Sequence, residues 1–192
     1  PLWVATAILV AVQRTVLSRE NNFWIFRAAF EHLRSGTDLY AAYPELHADF
    51  FKYSPTFAFL FAPFALLPAT LGYALWAGAC AATVWYGVAR LLPPRAAAIA
   101  LALALISVVG DLQRAQSNAL VAGLMVIAWV AYERERQLPA AIAVAAGAFV
   151  KLFPLAAGMG ALLHRRWLRF CLVLVGVIAL GALLPIVAAG PD

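Results

Sequence analysis

Residues that can carry out acid–base chemistry are concentrated in one stretch of a chain that is otherwise mostly apolar. Five of the nine acidic residues lie between positions 18 and 55, among them Asp38 and Asp49. A positioned carboxylate can accept a proton, and aromatic rings can pack on a ligand. The same stretch contains the aromatic residues Phe23, Trp24, Phe26, Phe30, Tyr40, Tyr43, Phe50, Phe51 and Tyr53. Each acid alone is typical of a solvated loop, but the combination favours a functional site.

A second group of polar residues interrupts the apolar runs further along the chain. Lys151 stands alone in such a run, close to Pro154. Ionisable groups at membrane depth are costly, and they indicate function unless they reach an interface. The other members cluster between two apolar runs: Asp111, Gln113, Arg114, Gln116 and Asn118. The alternative interpretations are a solvent-exposed turn for the cluster and a snorkelling side chain for Lys151.

Several common kinds of site are excluded by their missing motifs. The sequence has no HExxH, GxSxG or GxxxxGK pattern and no cysteine–histidine cluster, so we expect neither a metal nor a cofactor. Cys80 and Cys171 both lie in apolar runs and are interpreted as small buried hydrophobic residues. No nucleic-acid motif is present. The net charge of +5 comes from basic residues near the ends of predicted helices, which matches lipid headgroups instead.

The composition places the chain among membrane proteins. Apolar residues make up 65% and charged residues 12%, against about 45–50% and about 25% in soluble domains. We therefore expect an all-α polytopic membrane bundle, with residues 1–192 forming a single transmembrane domain. Because the chain begins without Met and ends directly after an apolar run, it is expected to be part of a longer protein.

The elements that must position these residues follow from the apolar periodicity. Aromatic spacing predicts an amphipathic helix from Asn22 to Arg34 on the membrane surface, within an extracytoplasmic loop over residues 18–53. Basic residues near helix ends cannot all be cytoplasmic if every run crosses once, so broken helices are expected around Pro63, Pro68 and Pro154. The apolar runs are Leu2–Leu17, Ser54–Leu67, Ala69–Leu92, Ala96–Val109, Ala119–Tyr132, Leu138–Leu163 and Phe170–Ala189.

Five short motifs, in this order, resemble the polyprenyl-phosphate-sugar-dependent transferases of glycosyltransferase family 87. They are Asn21-Asn22-Phe23-Trp24-Ile25-Phe26, Gly36-Thr37-Asp38-Leu39-Tyr40, Lys52-Tyr53-Ser54-Pro55-Thr56-Phe57-Ala58, Ala115-Gln116-Ser117-Asn118 and Lys151-Leu152-Phe153-Pro154. The resemblance extends over nearly all of the chain, which would be the N-terminal portion of a full family member. It implies a membrane bundle of the GT-C fold.

The resemblance also implies a reaction and its partners. A sugar, most often mannose, would pass with inversion from a polyprenyl-phosphate donor to a lipid or glycan acceptor. The site would lie on the extracytoplasmic face of a bacterial inner membrane, in contact with membrane lipids. Many family members resemble Asp-x-x-x-Tyr at the start of the loop, where this chain has Asn22, which cannot act as a base. The pattern Gly-Gln-x-Asn is also altered, to Ala115-Gln116-Ser117-Asn118.

The departure at Asn22 leaves Asp38 and Asp49 as the candidate catalytic bases, with Asp38 preferred. Cations and donors at the interface would stabilise the departing lipid phosphate. The expected substrate-binding residues are Asn22, Tyr40, Lys52, Tyr53, Arg114, Gln116, Asn118 and Lys151. Two other functions remain open from the sequence: a transporter or lipid flippase, and a non-catalytic subunit of a membrane assembly.

Overall fold

The computed structural model describes residues 2–15, 22–47, 49–163 and 166–188. These ranges contain helices and turns but no β-strand, which confirms the all-α prediction. Residues 18–21 and 48 of the predicted loop, with Asn21 of the first motif, lie outside the described residues. The helices are α1 (Leu2–Thr15), α2 (Asn22–Arg34), α3 (Pro55–Leu60), α4 (Ala62–Ala65), α5 (Ala69–Leu91), α6 (Pro94–Gln113), α7 (Asn118–Glu133), α8 (Gln137–Val150), α9 (Leu155–Gly158), a 3₁₀ helix (Met159–Leu163) and α10 (Trp167–Ala188).

Two helices, α6 and α10, are long and apolar enough to cross a membrane. Only 22% of the apolar window of α6 and 11% of that of α10 is buried in the protein. Leu103 and Ile106 of α6 are 76% and 84% exposed. Such continuous apolar surface is rare on soluble proteins, and it suits contact with lipid. The chain is therefore a membrane protein, as the composition predicts.

Helix α5 lies at the centre of the bundle and contacts α1, α4, α6 and α7. Its contact with α7 is close because glycine faces backbone at the crossing. A Cβ atom at Gly123 would lie 2.6 Å from the carbonyl carbon of Thr83, and one at Gly87 would lie 3.2 Å from the carbonyl oxygen of Gly123. Small residues of this kind let membrane helices approach closely. This crossing fixes the start of α7 relative to α5.

The predicted helix breaks occur. The run from Ser54 to Leu67 divides into α3 and α4, with Pro63 in the first turn of α4, and Pro68 precedes α5. The long run after Leu138 ends its first helix at Val150, and Pro154 opens the short α9. Because proline lacks the backbone donor that a helix interior needs, each break falls within a few residues of one.

Helix α2 spans Asn22–Arg34, the range predicted from its aromatic spacing, and its apolar face packs on protein. The Phe26 ring lies 5.0 Å from Phe57, 5.3 Å from Phe61 and 5.8 Å from Trp76, all edge-on. Aromatic rings favour this arrangement, and each pair adds about 0.5–1.5 kcal/mol beyond its burial. The aromatic stripe thus attaches α2 to α3 and α5, while contact of α2 with the membrane surface stays a prediction.

Helix α6 is longer than the apolar run predicts. The polar segment was expected to leave the helix at Gly110, but the helix continues through Gln113. One glycine and a few polar residues do not stop an established helix, because their propensity cost is about 1 kcal/mol or less per residue. The chain turns only at Ala115, whose φ is 51°. Asp111 therefore sits on the last turn of α6.

Candidate functional site

The turn between α6 and α7 is held by two side chains of α5. The Tyr73 hydroxyl donates to the carbonyl oxygen of Leu112, and the Trp76 indole nitrogen donates to that of Ala115 at 3.3 Å. Ala115 has a left-handed backbone, at a cost of roughly 1–2 kcal/mol for a residue with a Cβ atom. The turn is consequently fixed in place despite its strain.

The start of α2 is bonded to the same turn. Both the backbone nitrogen and the Nδ2 atom of Asn22 donate to the carbonyl oxygen of Arg114, at 3.1 and 3.0 Å. An asparagine side chain can donate here, whereas an ionised aspartate has no proton to give. The residue that departs from the family pattern therefore fits its surroundings. Its observed contact is to backbone, and its role toward a substrate stays a prediction.

A chain of polar side chains lies where α6, α7 and α8 end or begin. The Lys151 ammonium donates to Oδ1 of Asn118, and Nδ2 of Asn118 donates to Oδ1 of Asp111 at 3.2 Å. Lys151 follows the last residue of α8, Asn118 opens α7, and Asp111 is on the last turn of α6. We call Asp111, Asn118 and Lys151 the polar cluster. Asp111 orients the amide of Asn118 so that its oxygen faces the lysine.

The segment Lys52–Pro55 joins the loop to the helical bundle beside this cluster. The Ser54 hydroxyl donates to the carbonyl oxygen of Phe149 at 2.6 Å and accepts from the backbone nitrogen of Phe57 at 3.1 Å, which caps α3. Tyr53 is half-buried. Burial raises the pKa of its phenol, and the nearby Ser117 hydroxyl opposes this by favouring the ionised form. The segment is thus attached to the end of α8, two residues before Lys151 of the polar cluster.

Asp49 and Lys52 form an exposed ion pair. The Lys52 ammonium lies 2.7 Å from both carboxylate oxygens, and the backbone nitrogen of Phe50 donates to Oδ1 at 2.8 Å. The hydrogen bond from Lys52, followed by that from Phe50, lowers the pKa of Asp49 below its ordinary value. A carboxylate with a lowered pKa is a weaker base, so the pair makes Asp49 less suited to proton abstraction.

Asp38 is exposed and organises the loop that follows α2. Its Oδ1 atom accepts from the backbone nitrogen of Tyr40 at 2.8 Å, and its carbonyl oxygen accepts from the Tyr43 hydroxyl at 2.6 Å. The Tyr40 hydroxyl donates to the carbonyl oxygen of Tyr53 at 3.1 Å. In the described residues, no ion pair engages the Asp38 carboxylate. Asp38 therefore keeps an accessible carboxylate. It is linked through Tyr40 to Tyr53 of the segment Lys52–Pro55.

The structure brings residues of the fourth and fifth motifs into direct contact and bonds the first motif to the residue that precedes the fourth. Lys151 and Asn118 touch directly, the backbone nitrogen of Gln116 donates to the carbonyl oxygen of Asp111 at 2.8 Å, and Arg114 receives Asn22. The two candidate bases lie apart from this contact network, on the loop. Asp111 was noted in the sequence as a polar residue of the break but not assigned to the site. No local pattern identifies it, because its contact with Asn118 crosses the turn between α6 and α7.

Comparison with known proteins identifies a family for most of the chain. The family model described as "Glycosyltransferase family 87" matches residues 50–192. No curated protein and no solved structure gives a significant match. The matched range includes Lys52, the polar cluster and the turn before α7, whereas Asn22, Asp38, Tyr40 and Asp49 precede it. Since the match covers well over half of the sequence, the chain belongs to glycosyltransferase family 87.

Proposed function

We propose that the protein transfers a sugar from a polyprenyl-phosphate donor to a hydroxyl group of a lipid or glycan acceptor, and we expect this sugar to be mannose. The bond between the sugar C1 atom and the phosphate oxygen breaks, and a bond from C1 to the acceptor oxygen forms with inversion. The acceptor proton passes to a carboxylate, and the lipid phosphate leaves. The bundle is proposed to be of the GT-C type, in a bacterial inner membrane, with its site on the extracytoplasmic face.

The observation that carries this proposal is the uncompensated charge of Lys151 at the start of α7. Its ammonium has three donors, one of which bonds Asn118, and no carboxylate in the described ranges lies within 4.0 Å of it. The first backbone N–H groups of α7 are also without helical partners, and the helix dipole favours an anion there. A phosphate at this position would complete the arrangement, with its prenyl chain in the bilayer.

For the base, the proposal favours Asp38. Asp49 is held by Lys52, which lowers its pKa, while Asp38 keeps an accessible carboxylate next to Tyr40. Asp38→Asn preserves the size of the side chain and removes its basicity, so transfer should fall about 100- to 10,000-fold with normal insertion. Glu45→Gln is the matched control, because Glu45 is an exposed acid of the same loop, and Asp49→Asn tests the second candidate. If Asp49→Asn is inactive and Asp38→Asn is not, the assignment passes to Asp49. Full activity in both would exclude these two acids.

Sugar transfer from a radiolabelled polyprenyl-phosphate mannose is the decisive assay, in membranes that carry the full-length protein. Label should appear in a lipid or glycan product only when the protein is present. A transporter or flippase would move the labelled lipid across the bilayer without cleaving it, and an assembly subunit would do neither. Movement of intact donor without product formation would therefore refute the proposed function.

A further inference from the structure

An open cavity lies between α2 and the break that separates α4 from α5. Its volume is about 480 Å³, within the range of about 300–1,000 Å³ that is typical of ligand sites. The lining comes from the second half of α2, including Arg27, Glu31 and Arg34, and from Ala65 and Leu66 at the end of α4. None of these residues belongs to the polar cluster, so the proposed reaction does not account for the cavity.

Arg27 brings hydrogen-bond donors into this cavity that the protein leaves unused. Its side chain is only 26% exposed. The Nη1 atom donates to the carbonyl oxygen of Leu67 at 3.2 Å, and Nε lies 3.5 Å from Oε1 of Glu31. A guanidinium group has five N–H donors, so most of them have no acceptor among the residues that the structure describes. Because a mostly buried arginine is normally paired, the unused donors indicate an anionic ligand.

Arg34 makes the cavity positively charged. It is exposed, and no ion pair in the described part of the chain engages it. Two guanidinium groups thus face a single lining carboxylate, that of Glu31. The last carbonyl groups of α2, which would otherwise repel an anion, accept hydrogen bonds from Ser35 and Thr37. The excess of positive charge is therefore available to a ligand.

The remaining wall of the cavity is apolar and faces outward. Leu66 is 65% exposed, and Leu71 and Leu75, one turn apart near the start of α5, are each 48% exposed. Helix α4 packs on α5, so these leucines belong to neighbouring elements. Arginine pairs well with phosphate oxygens, and exposed leucine suits hydrocarbon. We propose that this cavity binds the phosphate of an anionic membrane phospholipid, whose acyl chains lie along the exposed leucines.

Such a lipid would attach the end of α2 to the bilayer surface. The aromatic face of α2 packs on α3 and α5, which leaves the face that carries Arg27 and Arg34 for headgroups. Basic side chains near a membrane surface attract anionic lipids. The start of α2 is bonded at Asn22 to the carbonyl oxygen of Arg114, so the lipid and the turn before α7 would hold opposite ends of one helix. The inference does not depend on sugar transfer.

Native mass spectrometry of the full-length protein in neutral detergent tests the inference by counting bound lipids. The probes are dioleoylphosphatidylglycerol, which is anionic, and dioleoylphosphatidylcholine, which has no net charge. The first phosphatidylglycerol should bind at least about fivefold more tightly than phosphatidylcholine, and Arg34→Gln should weaken it about fivefold. Arg34→Gln breaks no bond within the described residues, whereas Arg27→Gln also loses the bond to Leu67. Arg95→Gln, an equal charge change at an exposed arginine in the first turn of α6, should bind as the wild type does.

Four results would overturn the inference. The two lipids could bind equally well, Arg34→Gln could bind phosphatidylglycerol as tightly as the wild type, or Arg95→Gln could weaken it as much as Arg34→Gln, which would indicate diffuse attraction. Inorganic phosphate that displaces the lipid at equal concentration would indicate a site for free phosphate. Radiolabel transfer on the same preparations tests the proposed function separately: active protein without a preference for phosphatidylglycerol would refute the lipid site alone.

Discussion

Replacing Lys151 with methionine removes the positive charge of the polar cluster while keeping a side chain of similar length. The backbone nitrogen of Lys151 bonds the carbonyl oxygen of Gly147 at 2.8 Å, and this bond does not depend on the side chain. Because the lysine is only partly buried, the change opens no internal cavity. We therefore expect Lys151→Met to insert and fold, and to lose chiefly the interaction with a phosphate.

The expected fall in kcat/KM follows from the kind of bond that Lys151→Met removes, a hydrogen bond between two charged groups. A hydrogen bond to a charged group contributes about 1.5–3 kcal/mol. With about 1.36 kcal/mol per factor of ten, kcat/KM should fall roughly 10- to 150-fold. The sugar-linked phosphate carries one negative charge and gains a second as it leaves, so Lys151 binds it more strongly in the transition state. Much of the loss should therefore appear in kcat and not only in the KM for the donor.

The assay is radiolabel transfer at varied donor concentration, with the amount of protein in the membrane measured for each variant. Arg134→Met is the control, because Arg134 is exposed in the turn after α7, at the opposite end of that helix from Asn118, and it should change kcat/KM less than about threefold, as expected of a surface substitution. Lys151→Arg keeps the charge and should recover part of the activity. Two results would refute the phosphate role. In one, the kcat/KM of Lys151→Met stays within about threefold of the wild-type value; in the other, Lys151→Arg is as inactive as Lys151→Met.

Three further predictions concern stability, each measured by thermal unfolding of the full-length protein in detergent. Asn22→Asp loses the side-chain donor to Arg114 and should destabilise the fold by about 0.5–1.5 kcal/mol; an unchanged melting temperature would contradict the observed bond. Glu135→Gly relieves a left-handed backbone (φ 54°) in an exposed turn and should raise the melting temperature, whereas Glu133→Gly, within helix α7, should lower it. Burial, followed by the charge of His47, lowers the pKa of His32 below 6.5. The folded state then holds fewer protons than the unfolded state, so stability should fall as the pH drops below about 6.5, less so in His32→Gln.

Much of the secondary structure could be predicted from the sequence, because the length of an apolar run and the positions of its prolines indicate where a helix begins and ends. The range of α2 and the breaks near Pro63 and Pro154 follow from local periodicity and backbone chemistry. The extension of α6 to Gln113 was missed, because a polar residue on the last turn of a helix looks like a polar residue in a loop. Hydropathy alone cannot separate the two.

The contacts of the site were less accessible to sequence reasoning. Asp111, Asn118 and Lys151 meet because α5 and α7 cross closely at Gly123 and because α8 ends beside the start of α7. That geometry depends on tertiary packing over long sequence separations. The sequence did indicate that Lys151 needs a polar partner, since an isolated lysine in an apolar run is costly. It could not identify Asn118 as that partner.

The range of the family match separates the chain into two parts with different tasks in the proposed reaction. Lys52 and the whole polar cluster lie within residues 50–192, and Asp38 precedes them. Enzymes that use a lipid-phosphate donor must all bind the same phosphate group, and helix ends in a packed bundle can do so. Acceptors can differ from one enzyme to another, and a loop can bind them because loops vary more than the helices that they connect. The loop must still place its carboxylate where the acceptor hydroxyl meets the donor sugar. The bonds of Asn22 to Arg114 and of Tyr40 to Tyr53 supply that connection, because each joins the loop to an element of the matched region. If the proposed reaction is correct, acceptor specificity can then change through residues of the loop while the contacts that hold the polar cluster stay the same.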